Sequence, residues 1–176
     1  MKKVIVLMIA VAMAFNSKAQ SILGIPFGTS YSIVKEFLEV RFGKLSVFEE
    51  GGKISVISPV IGEYEFKFAD FYFQKDGPFT WLSEVLIQTS FDTNDTKSAK
   101  YIRDDLADIM REKYEVGEYI DNNGFKAYWF GTNPKDEEKP LGYIYINRTK
   151  GRDGKQRLYL IMHYGPIYYA DRSSDF

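Results

Sequence analysis

His163 is the only histidine in the chain, and there is no cysteine. The usual metal site draws on several His and Cys ligands, and an acyl-transfer triad needs a nucleophile beside its imidazole, so His163, at the end of a strand-like run, reads as structural. Carboxylates are more numerous. Asp104, Asp105 and Asp108 stand beside Arg103 and Arg111 at helical spacing, which makes surface ion pairs, while Asp136, Glu137 and Glu138 lie in a proline-bounded loop. Both groups read as solvated faces, because paired acid/base work needs two carboxylates held across a cleft. The segment Arg148-Thr149-Lys150-Gly151-Arg152-Asp153-Gly154-Lys155-Gln156-Arg157 gathers basic side chains around two glycines. Its Arg148, Lys150, Arg152 and Lys155 suit an anionic partner, or a hairpin tip kept soluble by charge. Phosphate-loop and dinucleotide spacings are missing from it. No enzyme activity, cofactor or metal is therefore expected.

The tyrosines carry a clearer pattern. Side chains alternate along a strand, and Ile144 and Ile146 in one run, with Leu158, Leu160 and Met162 in the next, are the natural core-facing sets. That choice turns Tyr143, Tyr145, Tyr159 and His163 to the opposite face, with Tyr128 expected beside them. A tyrosine-rich face offers large amphipathic contact area at low entropy cost, as protein-recognition surfaces do. Tyrosines also pair well across antiparallel strands, and the tail Pro166-Ile167-Tyr168-Tyr169 is long enough to cover such a face. A different reading places a small amphipathic ligand between sheet and helices, among Trp81, Trp129 and the phenylalanines.

Such residues need elements to position them. Thr29 or Ser30 can cap a helix whose apolar face is Val34, Phe37, Leu38 and Phe42, and Gly43 suits its left-handed stop. Ser46 to Glu49 and Lys53 to Ser58 then flank Glu50-Gly51-Gly52 as a hairpin, followed by an alternating Glu63 to Phe68 and a long run from Trp81 to Phe91. A second helix is expected from a cap at Asp95 or Thr96 to about Tyr114, with Ile102, Leu106, Ile109 and Met110 as its stripe and Arg103, Asp104, Asp108 and Arg111 on solvated faces. Strands Glu118 to Asp121, Phe125 to Phe130, Leu141 to Asn147 and Arg157 to Tyr164 follow, separated by loops Gly131 to Pro140 and Arg148 to Gln156. Helix plus four strands thus occurs twice. At a shift of 72 positions Val34 falls on Leu106, Phe37 on Ile109, Leu38 on Met110, Phe42 on Tyr114 and Gly52 on Gly124. The expected fold is α+β: two helix-plus-four-strand units (20–93 and 94–176) forming one antiparallel sheet of about eight strands with both helices on one face.

Met1-Lys2-Lys3, an apolar run of about a dozen residues from Val4 to Phe15, and the small residues Ser17 and Ala19 have the form of a signal peptide over residues 1–19. The run is too short for a membrane span, which takes about 20 residues. Cleavage after Ala19 would remove Lys2, Lys3 and Lys18 from 23 basic side chains set against 24 acidic ones, leaving a net charge of about −4. That disfavours nucleic acid as a partner, since phosphate neutralisation drives such binding. Without cysteine the exported domain must hold together by its core, and hydrophobic residues at 45% with aromatics at 16% supply one.

The tandem helix-plus-meander order, the export signal and the lead-in Gly24-Ile25-Pro26-Phe27-Gly28-Thr29-Ser30 resemble the small periplasmic proteins of the beta-lactamase-inhibitor-protein-like group. The lead-in is also similar to that of small secreted proteins of Bacteroidetes-type bacteria. Members of the inhibitor-like group present a concave sheet to another protein, so the resemblance implies a sheet face used for binding. They carry disulfides and this chain has none, so only the architecture transfers. The function expected is a periplasmic or secreted, non-enzymatic binding module for an envelope or extracellular protein or glycan, with no membrane span after cleavage. Intact-mass measurement of the exported protein should give a chain starting at Gln20; a retained Met1 would refute the signal-peptide reading.

Overall fold

Val34 with Leu38, and Leu106 with Met110, are four-residue spacings that each put two apolar side chains on one buried helical stripe. The computed structural model describes residues 20–151 and 153–167, and the expected signal peptide, Arg152, Tyr168 and Tyr169 lie outside them. A small lead-in hairpin, β1 (Ser21–Ile22) with β2 (Ile25–Pro26), precedes α1 (Tyr31–Phe42), β3 (Val47–Glu50) and β4 (Lys53–Ile57). Next come a second small hairpin, β5 (Val60–Ile61) with β6 (Tyr64–Glu65), and the long strands β7 (Phe68–Asp76) and β8 (Phe79–Asp92). The second half is α2 (Thr96–Arg111), β9 (Val116–Ile120), β10 (Lys126–Asn133), β11 (Asp136–Lys150) and β12 (Gln156–Tyr164).

Eight strands form one antiparallel sheet in the order β3-β4-β7-β8-β12-β11-β10-β9. Each helix is followed by four of them, and the two sets join through their last members, β8 and β12. Both helices pack on one side of the sheet, which is the expected α+β arrangement. The shift of 72 positions matches buried with buried at Val34 and Leu106 and at Leu38 and Met110. It also matches two left-handed glycines, Gly52 (φ 83°) and Gly124 (φ 75°), in the turns that open β4 and β10. Phe37 packs against the core whereas Ile109 is exposed, so the likeness is one of helix face rather than of every side chain.

The lead-in segment is structural. Its Gly28 amide donates to the Leu82 carbonyl and Leu82 returns a bond to Thr29, while Phe27 stacks on Tyr164 of β12 at 6.3 Å between centroids. Ser30 occupies the cap of α1 without a side-chain bond, and the Thr29 hydroxyl donates to the Pro26 carbonyl. Asp95 caps α2 as expected, accepting from the Ser98 amide.

Three expectations need correction. The alternation from Glu63 to Phe68 does not form a strand of the main sheet: Val60 to Glu65 make the small hairpin, Phe66 drops into the core, and the third main-sheet strand of the first unit is Phe68–Asp76. The segment Gly131 to Pro140 is not an open loop, because β10 and β11 run on through it to a tight turn with a register shift at Thr132/Asn133. Arg103 is not on a solvated face. It is 3% exposed, donating from Nε and Nη2 to Asp104 Oδ1 at 2.9 and 2.6 Å and from Nη1 to the Lys126 carbonyl at 2.7 Å.

Tyr128 shares that buried corner. Its register partner is Ile144, a core residue, so its ring lies under α2 and its hydroxyl donates to Asp104 at 2.8 Å. The charged ends of Arg103, Arg111 and Lys126 stand 5.7, 5.4 and 5.0 Å from the ring centroid. Partial burial pushes the Asp104 carboxyl up, but the Tyr128 hydroxyl and the Arg103 guanidinium outweigh it and hold the group below the usual carboxylate range. A carboxyl so lowered stabilises the fold fully above its unfolded value of about 3.9 and loses that contribution as pH falls through the lower folded value. Tyr128→Phe should cost about 0.5–1.5 kcal/mol in urea unfolding at pH 7. Asp104→Asn should also flatten the acid limb of stability against pH; an unchanged limb would show that the carboxylate is not coupled to folding.

Candidate functional site

Strand parity sorts the sheet into two faces. Ile144, Ile146, Leu158 and Leu160 are fully buried toward the helices, together with Ile54, Phe71, Val85 and Ile87 of the first unit. Their strand neighbours occupy the opposite, outer face. There Tyr143 pairs with His163 and Trp129, His163 pairs with Leu86, Tyr145 with Ile161, and Tyr159 with Ser90 and Asn147. Tyr143, Tyr145, Tyr159 and His163 thus share one face, and each is partly exposed. The face continues into the first unit through Phe48, Ile57 and Phe68, which are 40–47% exposed. Among the described residues no helix or strand lies over it: α1, α2, the lead-in hairpin and the β5–β6 hairpin all contribute to the core on the other side.

A polar strip crosses the middle of this face. His163 Nε2 lies 2.7 Å from Glu84 Oε1, and Glu84 stands opposite Tyr72. Asp70, only 7% exposed, accepts from Lys53 at 2.8 Å and from Ser55 at 2.6 Å, so its charge is paired and hydrogen-bonded. Burial, and then the nearby Asp70, raises the Tyr72 phenol; burial, and then Glu84, raises that of Tyr145. These hydroxyls are therefore neutral at physiological pH and can donate or accept. Among the described residues no cluster of His, Cys, Asp and Glu has the make-up of a metal site.

Not every expected residue joins this face. Tyr128 is on the helix side, as described above. Its aromatic type suggested membership, but its register with Ile144 excludes it, since one residue along a strand changes the face. Arg148 is level with Leu158 and Lys150 with Gln156, which places both on the helix-side pleat, and the Arg148 guanidinium lies 5.6 Å from the Phe125 ring. The basic tip is also partly neutralised from within: Asp153 binds Arg157 at 2.8 Å and accepts from the Lys155 amide, and its carboxyl is held below its usual range chiefly by that guanidinium. Lys155 is exposed at the turn.

Other residues of the outer face were missed. Trp129, expected between sheet and helices, instead points outward, because Tyr128 and Phe130 on either side of it point in. It lies across β9 at Gly117, where an added Cβ would sit 2.2 Å from the indole ring. Tyr119 meets Tyr143 edge to face at 6.3 Å and 81°. With Trp129, Gly131, Thr132, Pro140 and the rim residues Glu137 to Lys139, these rings bound a shallow groove of about 470 Å³. The alternation Trp129, Gly131 against Tyr128, Phe130 was visible, but three consecutive large aromatics leave the inward set ambiguous without the register.

No helix among the described residues is long and apolar enough to cross a membrane. Compared with known proteins, the chain matches no family model, no curated protein and no solved structure. Gly117→Ala should force the Trp129 indole out of its seat, shifting its side-chain N–H resonance while that of Trp81 stays in place. An unmoved Trp129 signal would show that the ring does not rest on Gly117.

Proposed function

We propose that this chain is an exported, non-enzymatic binding module that engages another protein of the envelope or extracellular space through the outer face of its sheet. The observation that carries the reading is the one-sided burial of the sheet: helices cover one face, and the other, bearing Tyr143, Tyr145, Tyr159, Trp129 and Tyr119 beside Phe48, Ile57 and Phe68, has no covering element among the described residues. Exposed aromatic surface beside paired polar groups marks interaction sites on proteins, and tyrosine and tryptophan dominate their energetic centres. The inhibitor-like element order expected from the sequence points to the same face, and the signal-peptide pattern of residues 1–19 is the ground for export. The basic hairpin has only a peripheral place in this reading, since Arg148 and Lys150 lie on the other pleat.

The test replaces Tyr143, Tyr145 and Tyr159 together with alanine. These side chains are outside the helix-packed core, so circular dichroism and the melting transition should remain cooperative. Chemical cross-linking in envelope extract should then map partner peptides to the outer face of the wild type, with those cross-links lost in the folded triple variant. Equal recovery of every partner by that variant would overturn the proposal.

A further inference from the structure

The groove at the β9 end of the outer face has a chemistry that the rest of the face lacks. Its walls are three rings set at angles: the indole of Trp129 laid over Gly117, and the phenols of Tyr119 and Tyr143 at 81° to each other. Its rim is the register shift of the β10–β11 hairpin, where Asn133 pairs with Asp136 and Thr132 with Pro140, leaving Glu137, Glu138 and Lys139 out of the ladder. That irregularity brings Glu137 and Glu138 into the wall of the groove with the rings. Lys139 is held 2.6 Å from Asp136, which offsets its charge. Glu137 and Glu138 are exposed and have no ion-pair partner among the described residues. The Tyr119 phenol is raised by burial first and then by Tyr143, Asp121 and Tyr145, so it adds no negative charge of its own at neutral pH.

Aromatic faces carry negative potential and attract cations, and carboxylates at the mouth add to that field. A neutral sugar can stack on the indole but gains no charge attraction at the rim, whereas a cation gains from both the rings and the carboxylates. We propose that this groove receives the protonated end of an arginine or lysine side chain from the protein partner. This inference rests on the reading of the outer face as a protein-binding surface and adds the chemistry of one contact within it: the cation lies against Trp129 and Tyr143, with Glu137 and Glu138 as counter-charges.

The test titrates the folded mature protein, at low ionic strength where surface charge is least screened, with acetyl-Gly-Arg-Gly-amide and acetyl-Gly-Lys-Gly-amide, and follows the indole N–H resonances. The citrulline and glutamine analogues and cellobiose serve as neutral controls. Expected is a saturable shift of the Trp129 signal by a cationic peptide below roughly 10 mM, the range open to one side chain. The neutral compounds should leave it in place, and the double variant Glu137→Gln, Glu138→Gln should bind roughly 5-fold or more weakly. Both replaced side chains are exposed, so the variant should fold as the wild type does. No shift by either cation, equal shifts by the neutral analogues, a shift by cellobiose alone, or undiminished binding by the double variant would each overturn the inference. The two proposals separate cleanly. Partner loss in the tyrosine triple variant with a silent titration retires the cation contact alone, whereas peptide binding without any partner loss leaves a cation-binding groove and retires both the wider face and the partner's use of the groove.

Discussion

β8 and β12 pair residue by residue from Val85 opposite Tyr164 to Asp92 opposite Arg157, and this ladder turns two four-stranded meanders into one sheet. Without it each meander would present another open edge and a half-covered core. With it, Val85 and Ile87 of one half lie level with Tyr164 and Met162 of the other, and the cores beneath the two helices become continuous. The lead-in reinforces the same seam, since Phe27 reaches from ahead of α1 to stack on Tyr164 and its neighbours are tied by backbone bonds to Leu82 of β8.

The face opposite the helices follows from that join. A pleated sheet commits every second residue to each side, so a register that sends Leu158, Leu160 and Ile144 to the core must send Tyr159, Ile161 and Tyr143 outward. Two helices of 12 and 16 residues serve one side. The other side combines partly exposed aromatics with polar groups that are already paired, such as Asp70 with Lys53 and Ser55. Paired polar groups of this kind keep a face rich in aromatic rings compatible with water while the rings remain available for contact.

The two ends of the second unit differ in electrostatic character. At the β11–β12 tip Asp153 pairs with Arg157, while Arg148 and Lys150 lie on the helix-side pleat. At the β10–β11 turn the acidic residues extrude beside aromatic rings. Basic residues close together along a hairpin are distributed to both faces, whereas a register shift takes residues such as Glu137 and Glu138 out of the ladder.

Much of the architecture was legible from local pattern. Helical stripes at Val34 and Leu38 and at Leu106 and Met110, the glycine turns at Gly52 and Gly124, and the apolar alternation of Ile144, Ile146, Leu158 and Leu160 sufficed for two helix-plus-four-strand units, because each depends on residues within a few positions. The same alternation correctly separated Tyr143, Tyr145, Tyr159 and His163 from the core. What depended on partners distant in the chain was decided only by the tertiary structure. Tyr128 went inward because Ile144 lies opposite, Arg103 was buried because Asp104 and the Lys126 carbonyl receive its guanidinium, and Trp129 turned outward onto Gly117. Pattern along the chain can state that a residue alternates; which face it joins depends on the register against strands and helices that fold over it.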